Sequence, residues 1–151
     1  MNLGGIFPAL TTPFESDGSV SLSGMRHNIG LYNRTGLSGY VVLGSTGESV
    51  LLSHEEADQL LSAVKESAAP GKILIAGTGA ESTAETIART KRAAALGHQV
   101  ALVKTPYYYK PAYRAEHFIT HYRAVADASP IPILLFQCQS SLTSLWNRRK
   151  S

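Results

Sequence analysis

Short apolar runs bounded by glycine or proline recur along this chain: 5-GIFPAL-10, 39-GYVVLG-44, 72-KILIAG-77, 99-QVALVK-104 and 131-IPILLF-136. Their spacing of about 30 residues is the repeat of a strand–helix–strand unit. Each run has the length and β-branched content of a strand covered on both faces, where no polar positions alternate. Between the runs the period becomes helical. Leu22, Met25, Ile29 and Tyr32 step by three and four residues, and the segment closes on Gly36. Ser53 with Glu56, and Ser82 with Glu85, have the spacing of capping boxes, in which each side chain satisfies an unpaired N–H of the first helical turn. A fourth helix is predicted through Phe118, Tyr122 and Val125.

The order β-α-β-α-β-α-β-α-β calls for parallel strands, and two architectures satisfy it: a doubly wound open sheet or a (β/α)8 barrel. Both place their chemistry at the C-terminal ends of strands. Five strands complete an open sheet but only about half of a barrel of roughly 250 residues.

Composition narrows the function classes. The longest apolar runs fall short of the roughly 20 residues that span a bilayer, and no basic region precedes an apolar stretch at the N-terminus, so a cytoplasmic protein without membrane association is expected. The single Cys138 makes no internal disulfide, and no Cys/His cluster has the spacing of a zinc site. The net charge of +3 comes from Arg148, Arg149 and Lys150; the other 11 basic residues are matched by 11 acidic ones. A nucleic-acid binder concentrates its basic residues on a folded face, so no nucleic-acid partner is expected.

Two stretches could carry chemistry. In 44-GSTGES-49 the glycines let the backbone turn sharply after a strand, so that N–H groups and two hydroxyls can face a carboxylate or phosphate. No Lys stands where a P-loop needs one, and an ordinary hydroxyl-capped turn is the plainer alternative. In 105-TPYYYKP-111 three tyrosines follow the fourth predicted strand, as a phenolic proton relay or as a contact surface between subunits.

Taken together and in order, 11-TTPF-14 with the Asp17-Gly18 turn, 44-GSTGES-49, 76-AGTGAEST-83, 105-TPYYYKP-111 and 130-PIPILLF-136 resemble the dihydrodipicolinate synthase and N-acetylneuraminate lyase family of Schiff-base aldolases over residues 5–136. Within it, 5-GIFPALTTPF-14, 81-EST-83 and 125-VADASPIPILLF-136 look most like the 4-hydroxy-2-oxoglutarate aldolase branch. The resemblance implies the N-terminal part of a TIM barrel, about five strands, with 1–136 as an incomplete aldolase domain. It implies a lyase that forms or cleaves a 4-hydroxy-2-oxo acid through pyruvate bound to a lysine as a Schiff base, with dihydrodipicolinate synthase as the alternative activity. No organic cofactor and no metal is implied. By motif, Thr46 would hold the pyruvate carboxylate, Ser45 would pass a proton, Tyr108 would complete the relay from a neighbouring subunit of a homo-oligomer (dimer or tetramer), Gly44 and Gly47 would shape the turn, and Glu48 would tie the loop down.

Two departures stand against this pattern. Phe136 occupies the position of the family's catalytic tyrosine and has no hydroxyl to move a proton. The Schiff-base lysine is expected on a sixth strand, about 25 residues after that position, where this chain has ended. The segment 137-QCQSSLTSLWNRRKS-151 holds the only Cys and the only Trp, has no strand–helix pattern and turns basic. It reads as a non-homologous tail of frameshift or splice origin, or as a divergent ending. The expectation is a chain inactive alone, or a non-catalytic subunit pairing with a full-length copy; an open-sheet module binding an anion at the Gly44–Gly47 turn is a third reading. Lys104 ends the fourth predicted strand and could substitute for the lysine. Since it and Thr105 cannot both face inward, a strand-end lysine reaching into solvent is expected instead.

Overall fold

The computed structural model describes residues 1–137 of the 151-residue chain. The predicted tail, apart from Gln137, lies outside the described residues.

Four strands, β1 (Gly39–Val42), β2 (Ile73–Gly77), β3 (Val100–Lys104) and β4 (Ile133–Phe136), form one sheet in the order β1-β2-β3-β4. Every neighbouring pair is parallel. Between and before them run α1 (Leu22–Tyr32), α2 (His54–Ser67), α3 (Thr83–Ala95) and α4 (Ala115–Ala128). Sequential winding with no reversal is that of a barrel, whereas an open doubly wound sheet changes direction at a switch point. The sheet is therefore the N-terminal part of a (β/α)8 barrel. The run 5–10 lies parallel beside β1 without becoming a full strand. It makes one isolated bridge, Ala9 with Val41, and Val41 N–H donates to Pro8 O at 2.9 Å. Pro8 has no N–H to return to the ladder, which is interrupted there, although Ser38 N–H donates to Ile6 O at 2.9 Å on its far side.

The register sorts the side chains. Tyr40, Val42, Leu74 and Ala76 face the helices and share a core with Met25 and Ile29 of α1 and Leu60, Leu61 and Val64 of α2. Ala101 and Val103 pack against Val125 of α4. Each such aliphatic side chain contributes about 1.5–3 kcal/mol on full burial. The alternate residues Val41, Leu102 and Lys104 face the other side of the sheet, the side that becomes the interior of a barrel.

Helix ends follow local chemistry, with two differences from expectation. At α2 the capping box is complete: Glu56 N–H donates to Ser53 Oγ at 3.2 Å and Ser53 N–H to Glu56 Oε2 at 2.8 Å. At α3 only half of it forms. Glu85 N–H donates to Ser82 Oγ at 3.0 Å, but the Glu85 carboxylate takes Arg89 Nε at 2.7 Å instead of closing the box. Helix α1 ends at Tyr32, short of Gly36, with Asn33 as its cap. That amide is already committed: Oδ1 accepts from Tyr40 Oη and from Ala69 N–H, both at 2.9 Å, while Nδ2 donates to Ser67 O at 2.8 Å. One side chain thus joins the ends of α1 and α2 to a tyrosine buried in β1.

His98, just before β3, is 2% exposed. Its Nε2 lies 3.1 Å from Leu61 O; a carbonyl only accepts, so Nε2 carries the proton, and Nδ1 has no partner among the described residues. Burial holds its pKa below the ordinary 6.5, opposed by the Leu61 bond and aided by the Lys65 charge.

Two outcomes are expected. Asn33→Ala orphans the Tyr40 hydroxyl and the Ala69 amide at about 1–3 kcal/mol per group, and the loss in denaturant unfolding shrinks when Tyr40→Phe is added. His98 binds its proton more readily in the unfolded chain, so stability falls as pH drops below about 6.5; the unfolding midpoint of His98→Gln is expected to decline less over the same interval.

Candidate active site

The turn after β1 is bent at both ends into the left-handed region: Leu43 has φ 59° and Glu48 φ 54°, neither a glycine. Each such residue costs on the order of 1–3 kcal/mol and persists only where its surroundings hold it. Here they do. Gly47 N–H donates to Gly44 O at 3.1 Å, Glu48 N–H to Ser45 O at 3.1 Å, and the buried Thr12 hydroxyl donates to Gly47 O at 2.6 Å. On the β2 side the turn presses against Gly77, where a Cβ would meet Leu43 O at 2.1 Å. Only glycine lets the two chains pass so closely.

This turn delivers Gly44, Ser45 and Thr46 to a cavity of about 240 Å3 on the inner face of the sheet, which is also lined by Gly77, Gly79, Leu102, Lys104 and Phe136. Among the described residues no protein group takes the Ser45 or Thr46 hydroxyl, so both are available to a ligand. Hydroxyls on a turn, set in an otherwise apolar hollow beside a lysine, suit a small carboxylate. A second hollow of about 190 Å3 lies between α2 and α3. Its charged groups already pair with one another, Arg92 with Asp58 and Arg89 with Glu85, both at 2.7 Å.

The structure thus brings together Gly44, Ser45, Thr46 and Phe136. Gly47 is buried one residue further along, as the anchor of the turn. Tyr108 is not brought in: it is 72% exposed, packed edge-on against Tyr109 with ring centroids 4.9 Å apart. Glu48 does not tie the loop down. Its carboxylate has no hydrogen bond or ion pair among the described residues, and Thr12 does that work.

Lys104 departs from expectation too. It shares the inner face with Leu102 and, across the ladder, with Phe136. Thr105 is the residue that turns away, its Oγ1 2.9 Å from Tyr122 Oη on α4. The alternation of faces was sound; the assignment of which residue points inward is reversed.

Glu81, given no role by the sequence reading, holds the tyrosine loop. Its Oε2 accepts Tyr107 N–H at 3.0 Å and Tyr108 N–H at 2.9 Å. The loop that carries it is itself fixed to α3, through Ala80 N–H to Thr86 Oγ1 at 3.0 Å and Thr78 Oγ1 to Thr90 Oγ1 at 2.9 Å. Nothing local marks this glutamate, because its partners lie 26 and 27 residues away.

Among known proteins, the model of the dihydrodipicolinate synthetase family matches residues 2–145. The 4-hydroxy-tetrahydrodipicolinate synthase of Methanothrix thermoacetophila is 44% identical over 133 residues, 87% of this chain and 43% of that protein. The enzyme of the same name from Xanthomonas axonopodis pv. citri is 45% identical over 136 residues, 90% of this chain and 44% of that one. Among solved structures, the dihydrodipicolinate synthase of Acinetobacter baumannii complexed with pyruvate has a TM-score of 0.88 at 35% identity, covering 92% of this chain and 47% of the other. An N-acetylneuraminate lyase from Mycoplasma synoviae gives 0.79 at 32% identity, over 87% and 44%. The chain spans a little under half the length of these relatives.

Glu81→Ala should speed hydrogen exchange at the Tyr107 and Tyr108 amides by about tenfold or more, the loss of a hydrogen bond to a charged acceptor. Glu81→Gln, which keeps an acceptor, should retain part of the protection.

Proposed function

The chain belongs to the dihydrodipicolinate synthetase family, and on that basis we propose that its inner cavity is the 2-oxo acid half of a pyruvate-dependent Schiff-base lyase site. The observation that carries this reading is the presentation of two unengaged hydroxyls, Ser45 and Thr46, by a strained turn at the C-terminal end of β1. A barrel places its catalytic groups at that end of its strands.

Thr46 binds the substrate carboxylate through its hydroxyl and N–H. Ser45, beside it, holds or passes a proton. Tyr108 stands off the cavity of its own subunit, so it serves the relay of a partner copy in a homo-oligomer. Phe136 keeps an aromatic wall where a phenol would otherwise stand, and no proton moves through it. The protonated imine of such a lyase draws off the electrons of the breaking C–C bond; the lysine that forms it is assigned to none of the 151 residues.

The substrate we propose is a 4-hydroxy-2-oxo acid such as 4-hydroxy-2-oxoglutarate, supported by the segments 5–14, 81–83 and 125–136. A second reading, synthesis of 4-hydroxy-tetrahydrodipicolinate from pyruvate, is favoured by the names of relatives 40–45% identical to this chain. The two readings share the pyruvate-binding half.

Titration of the 151-residue chain with pyruvate, followed by NMR, tests that shared half. Thr46→Val keeps the shape and removes the hydroxyl, so affinity is expected to fall about tenfold, while Ser45→Ala stays within about threefold of the parent. A chain that binds no pyruvate, or a Thr46→Val variant with unchanged affinity, overturns the reading.

A further inference from the structure

Lys104 is the one ionisable side chain lining the inner cavity among the described residues. Three features fix it there. The pleat of β3 turns it inward. Gly79 leaves room for it, since a Cβ at that position would lie 2.5 Å from Lys104 N and 2.8 Å from its Cγ. Its Nζ sits 4.8 Å from the centroid of the Tyr107 ring, whose face attracts a cation.

This ammonium lacks a counter-ion. No carboxylate lies within ion-pair distance of it among the described residues, and the nearby Glu81 has its Oε2 engaged by the Tyr107 and Tyr108 amides. Burial pushes the Lys104 pKa down, opposed by Glu81 and aided by Arg89. A half-buried cation without a partner costs free energy that a bound anion would recover.

We propose that Lys104 is the counter-ion for a second carboxylate of the ligand, so that the cavity selects dicarboxylic 2-oxo acids over monocarboxylic ones. The inference rests on the reading of Thr46 as the anchor of the first carboxylate. Thr46 and Lys104 line the same cavity, and the strands that precede and carry them, β1 and β3, lie two strand spacings or about 10 Å apart, a span of the order of a lysine stem together with a ligand of about five carbons. In this role Lys104 acts as the ammonium, which the Tyr107 ring and the Glu81 charge favour and which burial and Arg89 oppose.

The test compares 2-oxoglutarate with 2-oxopentanoate, acids of equal carbon count that differ in the second carboxylate, by calorimetry on the 151-residue chain. The parent is expected to bind 2-oxoglutarate at least about tenfold more tightly. Lys104→Met should abolish the difference while keeping 2-oxopentanoate binding, and Lys104→Arg should preserve it. Equal binding of both acids by the parent, lost in Thr46→Val, overturns the counter-ion role and leaves the proposed function standing. A preference that survives in Lys104→Met overturns the role as well. A borohydride-trapped pyruvate adduct on Lys104 overturns it in favour of a covalent role. Binding of neither acid overturns both readings.

Discussion

A parallel strand must send neighbouring side chains to opposite faces, and everything at the end of β3 depends on which neighbour goes where. The burial of Ala101 and Val103 against Val125, with the hydrogen bond between Thr105 Oγ1 and Tyr122 Oη on the same face, decides it. With Thr105 held against α4, Lys104 has only the inner face left. A slip of β3 by one residue would break that bond, bury the ammonium under the helices and turn Val103 out of its contact with Val125. The packing of the outer layer thus sets the chemistry of the inner one.

The same layering explains what the sequence disclosed and what it withheld. The last four of the five expected strands, the four helices and the Ser53–Glu56 box depend on residues within a turn or two of one another, and they appear where periodicity places them; the run 5–10 stays an isolated bridge beside β1. The half-formed box at Ser82 does not, because Glu85 answers to Arg89 and to His54 of another helix, 3.5 Å away. Asn33 ends α1 ahead of Gly36 because it meets Tyr40, Ser67 and Ala69, contacts that no local pattern reveals. Ser45 and Thr46 were legible as a turn that offers hydroxyls. Thr12 and Glu81, which hold the loops around them, were not, since each acts across more than 25 residues of chain. For Lys104, alternation said that one of two neighbours faces inward and left the choice to tertiary packing.

The turn at Leu43–Glu48 shows how free energy is distributed in this fold. Its two left-handed residues weaken the loop locally, while the surrounding layer is closely packed, with Tyr40, Leu60, Ala63, Val64 and Ala76 wholly buried. A rigid outer layer lets an inner loop hold an unfavourable backbone, and that backbone keeps the hydroxyls off the protein's own acceptors. A relaxed turn would fold Ser45 or Thr46 back onto nearby carbonyls, as short hydroxyl side chains readily do.

Glu81 has a mechanical consequence. A single carboxylate oxygen bridges the loop after β2 to the loop after β3, so parting the two loops breaks both of its hydrogen bonds at once. A ligand seated beside Gly79 and a neighbouring molecule resting on Tyr108 would bear on the same latch from opposite sides.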